Sequence, residues 1–305
     1  MVVTGSGRCQ DVAMRLGVRR SVVLVVGATT LLAAACTPWP RASTVVPDAT
    51  SCATVLHVAA RGSSAPLRSK EVKGMWSDLR AALGPGVTVE QVELGDLNGD
   101  GRLDPGGFTA IDALSAPAID LAARPDETDI AFIGGYNQSR RTGTLELVQL
   151  LASRARTCPD QRIVLSGYSM GAHATGLALK RLPATTAARV DSVEFFGDPS
   201  FMLGPWARTD PAAVIAGHGF LGERPEYVPP AFAARTESWC GEWDGLCTGN
   251  LVLAVDQLLP CNEAPLAAQP FCNHRHVDYE KWATALGMAT SGRLVRAALA
   301  SSSGR

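Results

Sequence analysis

The chain has 305 residues, with 28 Lys and Arg against 29 Asp and Glu and a net charge of −1. So even a balance excludes an electrostatic nucleic-acid binder. The length suits one large α/β domain with short extras, or two small domains, and no internal repeat marks a solenoid or propeller.

At the N-terminus, Arg15, Arg19 and Arg20 precede an uncharged stretch from Ser21 to Ala35. A basic region, a short apolar core and small residues make an export signal, and the core is short for a membrane span. Arg19-Arg20-Ser21 also has the look of a twin-arginine signal, and Met14 is an alternative start. Leu32-Ala33-Ala34-Ala35-Cys36 matches a bacterial lipobox, which makes Cys36 a candidate lipidation site; ordinary cleavage after Ala35 is the alternative. Residues 1–36 are therefore expected to be the export signal, 37–51 a flexible linker of prolines and small polar residues, and 52–305 the folded domain. A secreted or extracytoplasmic location in the cell envelope follows, with membrane attachment through a lipidated Cys36 as one form of it.

Without Cys9 and Cys36, six of the eight cysteines remain: Cys52, Cys158, Cys240, Cys247, Cys261 and Cys272. In an exported domain they imply three disulfides, for which fifteen pairings exist. No C-x-x-C or H-x-x-x-H pair suggests zinc, and no metal or other cofactor is expected.

Along the chain, Thr54 to Ala60 reads as an apolar strand that ends in the turn Arg61-Gly62-Ser63-Ser64. Val72, Met75, Trp76, Leu79 and Leu83 recur at helical spacing over Ser69–Leu83, and Val87 to Leu94 is the next strand. The insert Asp96-Leu97-Asn98-Gly99-Asp100-Gly101-Arg102-Leu103-Asp104 imitates a calcium loop, but Gly107 stands where the bidentate glutamate belongs. A solvated Asx-rich turn explains the same residues. Asp129–Ile133 reads as a strand, Thr142–Arg156 as a helix and Val190–Phe196 as another strand. A helical run from His276 to about Leu299 closes the chain. Strands alternating with helices predict an α/β/α sandwich around a mainly parallel sheet.

The chemistry centres on Ile163 to Gly176. A short apolar strand runs into Gly167-Tyr168-Ser169-Met170-Gly171 and then a helix-compatible stretch to about Leu182, which is the nucleophile-elbow pattern. A serine at so sharp a turn sits in a strained backbone, and glycines two before and two after relieve the crowding. Such a serine needs a histidine to take its proton and a carboxylate to orient that histidine. His173, His218, His274 and His276 lie downstream. His173 reads as structural, His218 as a rim residue, and the pair His274 and His276 is better placed as the base. For the acid, Asp198 in Phe196-Gly197-Asp198-Pro199 and Asp244 between Cys240 and Cys247 are both candidates.

Several pieces together carry a family resemblance: Ala60-Arg61-Gly62-Ser63, Cys158-Pro159-Asp160, Gly167-Tyr168-Ser169-Met170-Gly171, Phe196-Gly197-Asp198-Pro199, the C-x-x-x-D-x-x-C box from Cys240 to Cys247, and His276-Val277-Asp278-Tyr279. In this order the chain resembles the cutinase family of secreted serine esterases. The resemblance implies an α/β-hydrolase fold of cutinase type and a triad of Ser169, Asp244 and His276. It also implies an oxyanion hole from the backbone N–H groups of Ser63 and Met170. It implies the pairs Cys52–Cys158 and Cys240–Cys247, leaving Cys261 and Cys272 for an extra bridge. Met170 stands where many relatives carry glutamine. The insert and the long stretch from Asp244 to His276 have no simple counterpart in the compact fungal enzymes, so a lid stays an open question.

The expected function is a serine carboxylic-ester hydrolase that acts through an acyl-enzyme on short-chain esters, lipids or polyesters. An acetylxylan-type esterase or an acyltransferase is the alternative within that chemistry. A non-catalytic envelope lipoprotein on the same scaffold is the alternative outside it. The expected partner is an ester substrate, with no nucleic acid. No feature signals an oligomer, and a monomer is expected.

Overall fold

The computed structural model describes residues 51–110, 134–209, 213, 215, 217–224, 226–250, 253–254, 279 and 283–303. The chain divides between Arg41 and Ala42 into two units, and every described residue belongs to the second. The export segment, Cys36, the strand expected over Asp129–Ile133, Cys261, Cys272, His274 and His276 lie outside the described residues.

In order, the elements are β1 (Val55–Ala60), α1 (Lys70–Leu83), β2 (Val89–Glu93), α2 (Gly134–Thr157), β3 (Arg162–Tyr168), α3 (Met170–Leu179), the short α4 (Ala184–Ala187), β4 (Val190–Phe196), β5 (Ala207–Thr209), a 3-10 turn (Pro230–Arg235), β6 (Thr236–Cys240), the short α5 (Gly245–Thr248) and α6 (Ala283–Ser303). The described strands form one six-stranded sheet in the order β2-β1-β3-β4-β6-β5, and every pairing is parallel. The carboxyl ends of all these strands therefore share one edge, where open α/β sheets place their ligands.

The apolar side chains divide between the two faces. Leu56, Val58, Ile163, Leu165, Val193 and Phe195 pack with Leu147, Leu150 and Leu151 of α2 and with Ala178 of α3. Val55, Ala59, Val164 and Phe196 pack with Val72, Met75 and Leu79 of α1 and with Met288 and Val295 of α6. Each such side chain contributes about 1.5–3 kcal/mol on full burial. Strands covered on both faces read as continuous apolar runs, which is why β1 and β3 stand out in the sequence.

Local signals fix the helix ends. The Ser69 hydroxyl accepts the Val72 N–H at 3.4 Å and so caps α1, and Gly84, at φ 78, ends it. α2 begins eight residues before the expected Thr142. Its first turns bury Tyr136, Asn137, Ser139 and Arg140, so polar side chains face inward and the apolar period is hidden. At the other end, α6 is described over Ala283–Ser303, within the helical run expected there, and Tyr279 lies in a 3-10 turn before it.

Candidate active site

Ser169 sits between β3 and α3 with φ 52 and ψ −118, a left-handed backbone that non-glycine residues avoid. Such a conformation costs on the order of 1–3 kcal/mol and persists only where the surroundings hold it. Here Ser169 N–H donates to the Phe196 carbonyl at 2.8 Å, and the Ser169 carbonyl accepts from His173 N–H at 3.1 Å. The two elbow glycines serve different contacts. A Cβ on Gly167 would lie 2.6 Å from the Ala172 backbone, within the elbow itself, whereas one on Gly171 would lie 2.2 Å from the Ala60 carbonyl oxygen. Gly171 thus admits the end of β1, which brings the turn that follows β1 over the serine.

That turn is held tightly. A Cβ on Gly62 would meet the Tyr168 ring at 2.7 Å and the Ser169 Cβ at 3.1 Å. The buried Arg61 guanidinium donates to the carbonyls of Ala65 (3.1 Å), Leu94 (2.6 Å) and Phe108 (2.8 Å). Ser64, at φ 61, donates its N–H to the Ala110 carbonyl at 2.8 Å. The insert is anchored from below by Glu146, which accepts Gly95 N–H at 3.0 Å and Phe108 N–H at 2.8 Å. Burial pushes the Glu146 carboxyl up to about 7, against the pull of those two donors.

The loop from Asp96 to Asp104 closes on its own groups. Asp104 accepts Leu97 N–H at 2.6 Å, Asp96 accepts Gly101 N–H at 3.1 Å, and Asn98 accepts Asp100 N–H at 2.8 Å. The Arg68 guanidinium lies against it, donating to the Gly99 carbonyl at 2.5 Å. This is the Asx-turn chemistry that the residue types allow.

Asp244 is fully buried in the ring closed by the Cys240–Cys247 disulfide. Its Oδ1 accepts the N–H groups of Leu246 (3.0 Å) and Cys247 (3.2 Å), the cap of the short α5. Its Oδ2 accepts the Tyr279 hydroxyl at 2.7 Å. The second described disulfide, Cys52–Cys158, ties the start of the domain to the end of α2. Both pairs are those that the family resemblance implies.

The other candidates have structural partners. Asp198 pairs with Arg224 at 3.0 Å with neither side chain exposed, and its Oδ1 accepts Ser200 N–H. His173 is buried with its Nδ1 3.1 Å from the Tyr136 hydroxyl, and burial with Arg140 and Arg224 nearby keeps its pKa well below the usual value. His218 donates from Nδ1 to the Gly219 carbonyl at 2.8 Å.

His57 and Ser166 form a histidine–serine contact of 2.8 Å in mid-sheet. Both are buried, and burial lowers the His57 pKa to about 3. The His57 Nδ1 has no hydrogen-bond partner among the described residues, so within them this pair lacks an orienting acid, and its burial leaves no approach for substrate. It is a core hydrogen bond. Ser169 and the turn that carries Ser63 lie together at the carboxyl edge of the sheet, and Asp244 leaves the same edge after β6. Sequence reasoning assigned no role to Arg61 or Tyr279; the one hint was their place in the A-R-G-S and H-x-x-Y pieces.

Known proteins resemble the chain in sequence and in fold. The family model described as Cutinase matches residues 51–271. The chain is 28% identical over 178 residues to cutinase CUT1 of Coprinopsis cinerea, covering 56% of this chain and 77% of that protein. It is 29% identical over 115 residues to carboxylesterase Culp1 of Mycobacterium tuberculosis, covering 38% of this chain and 48% of that protein, about half its length. Among solved structures, the catalytic core domain of acetyl xylan esterase from Trichoderma reesei matches at a TM-score of 0.53 and 19% identity, over 80% of this chain and 100% of that one. A cutinase-like protein from Cryptococcus sp. matches at 0.51 and 17%, over 82% and 98%. At those identities the two structures speak for the fold alone.

Proposed function

The chain belongs to the cutinase family of carboxylic-ester hydrolases, and on that footing we propose that it cleaves acyl esters by a double displacement at Ser169. The Ser169 hydroxyl attacks the ester carbonyl while His276 takes its proton and Asp244 steadies the imidazole. The N–H groups of Met170 and Ser63 receive the developing oxyanion; Met170 opens α3, and the first N–H groups of a helix have no partner within it. His276 returns the proton to the departing alcohol. A water then gives its proton to His276 and adds to the acyl-enzyme, which releases the acid and restores Ser169.

The observation that carries this reading is the backbone of Ser169, strained at φ 52 at the carboxyl end of β3, with the Gly62 turn packed on it. His276 is supported indirectly. It precedes Tyr279 by three residues, a span of at most about 11 Å, and the Tyr279 hydroxyl touches Asp244. Substrates are acyl esters: short-chain esters, lipids, polyesters or acetylated polysaccharide. Residues 52–305 are read as the catalytic domain, exported by the preceding segment and retained at the envelope if Cys36 is lipidated. No described helix is long and apolar enough to cross a membrane.

A fluorophosphonate probe tests the chemistry. Wild-type protein is labelled and Ser169→Ala is not; labelling that survives the substitution sinks the proposal. p-Nitrophenyl esters of graded chain length, run beside an acetylated polysaccharide and a triglyceride emulsion, then define the substrate.

A further inference from the structure

We infer that Tyr279 is a positioning residue for ester hydrolysis, holding the Asp244 carboxylate in register with the nucleophile elbow. The inference rests on the triad reading above and deepens it.

The hydroxyl of Tyr279 works at both ends of the acid-bearing ring. It donates to Asp244 Oδ2 at 2.7 Å, accepts the Gly241 N–H at 3.0 Å and lies 3.4 Å from Cys247 Sγ. One buried oxygen thus spans the ring that the Cys240–Cys247 bond closes. The aromatic body faces the other way. Its ring lies 6.1 Å from that of Tyr168 and 6.3 Å from that of Phe196. Tyr168 precedes the nucleophile, and Phe196 offers the carbonyl that accepts Ser169 N–H. A single side chain therefore connects the acid to the elbow, from a position three residues beyond His276.

Burial and the nearby charge of Asp244 push the Tyr279 phenol well above its usual pKa, with Tyr168 a smaller contribution in the same direction. The hydroxyl therefore stays a donor across the working pH range. Together with the N–H groups of Leu246 and Cys247, it fixes the carboxylate by donors on both oxygens. Catalysis rewards that fixity: small misplacements of a reacting constellation cost far more in rate than in binding.

Tyr279→Phe keeps the ring contacts and removes the oxygen. Its kcat on a short p-nitrophenyl ester is expected to fall about tenfold with KM within about twofold, because the defect lies in orientation and not in substrate contact. The acid limb of its kcat/KM profile is expected to rise by about half a pH unit, because a carboxylate relieved of one donor holds a fuller charge toward the imidazole. Should the variant not fold, 3-fluorotyrosine at position 279 keeps the shape and strengthens the donor, and the acid limb then moves down. Either shift supports the inference. An unmoved acid limb with kcat unchanged, or a loss tracking only the melting temperature, overturns it. Ser169→Ala and Asp244→Asn are run alongside. If both are inactive while the position-279 variants match wild type, only this inference fails. If Ser169→Ala still turns over substrate, the triad reading falls, and this inference with it.

Discussion

The Glu194 carboxyl accepts the indole N–H of Trp239 at 3.0 Å in the layer between the sheet and α6. The hydroxyls of Ser192 and Ser291 lie 3.2 and 3.0 Å from its other oxygen. A Cβ on Gly287 of α6 would sit 2.8 Å from the carboxyl, so the helix comes close because that residue is glycine. Burial, with the charge of Glu237 adding to it, raises the Glu194 pKa well above its ordinary 4.5. The folded protein then keeps a proton that the unfolded chain releases, so this group's stabilisation is full below about pH 4.5 and declines as pH rises toward the raised folded value. Glu194→Gln keeps the acceptor for Trp239 and should remove that decline. Melting temperatures from pH 4.5 to 8.5 are expected to show the variant gaining on wild type as pH rises; parallel curves would assign the slope elsewhere.

Asp198 and Asp244 both end in buried acids at the same sheet edge, and they should fail in opposite ways. Asp198→Asn leaves Arg224 buried without its counter-charge, a loss of about 3–5 kcal/mol, while the protein that remains folded should turn over within a few-fold of wild type. Asp244→Asn should melt nearer to wild type and lose about three to four orders of magnitude in kcat. Denaturant unfolding and initial rates on the same preparations separate the two, and a reversed pattern would make Asp198 the acid.

The disulfides invite a similar cross. Cys52–Cys158 joins residues 106 apart and Cys240–Cys247 residues 7 apart. Chain entropy assigns the long loop about 4–5 kcal/mol and the short one about 2–3 kcal/mol. The double serine variant of the first pair should lose more stability and little kcat. On the proposed triad, the double serine variant of the second should lose less stability and at least about tenfold in kcat, because the ring that holds Asp244 opens.

Gly62→Ala puts a methyl against Tyr168 and Ser169. Displacing the turn by a fraction of an ångström should lower kcat by about one to two orders of magnitude, with a melting temperature within a few degrees of wild type. A variant as active as wild type would show that this turn does not shape the oxyanion site.

The strands with apolar runs and the elbow were legible in the sequence because burial on both faces and a glycine-flanked serine leave local marks. β5 and β6 were not. β6 reads Thr-Glu-Ser-Trp-Cys, which has no apolar run and follows a stretch rich in proline and glycine. Glu194 was hidden differently, since a carboxylate inside a buried strand gives no warning that a helix from the far end of the chain will cover it. Neither Asp198 nor Asp244 could be preferred from its own neighbours in the sequence, and only the family resemblance pointed to Asp244. Arg224 is 26 positions beyond Asp198 in the sequence and becomes its neighbour only in the folded chain, which gives Asp198 a structural partner.

Arg61 grips three separate stretches with one side chain, and that constrains how the protein can be re-engineered. Trimming the loop that ends at Phe108 to make a smaller enzyme would take away one of the carbonyls on which the guanidinium depends. The loss would surface in the turn packed on Ser169 rather than at the excision. Miniaturisation should therefore leave this loop whole.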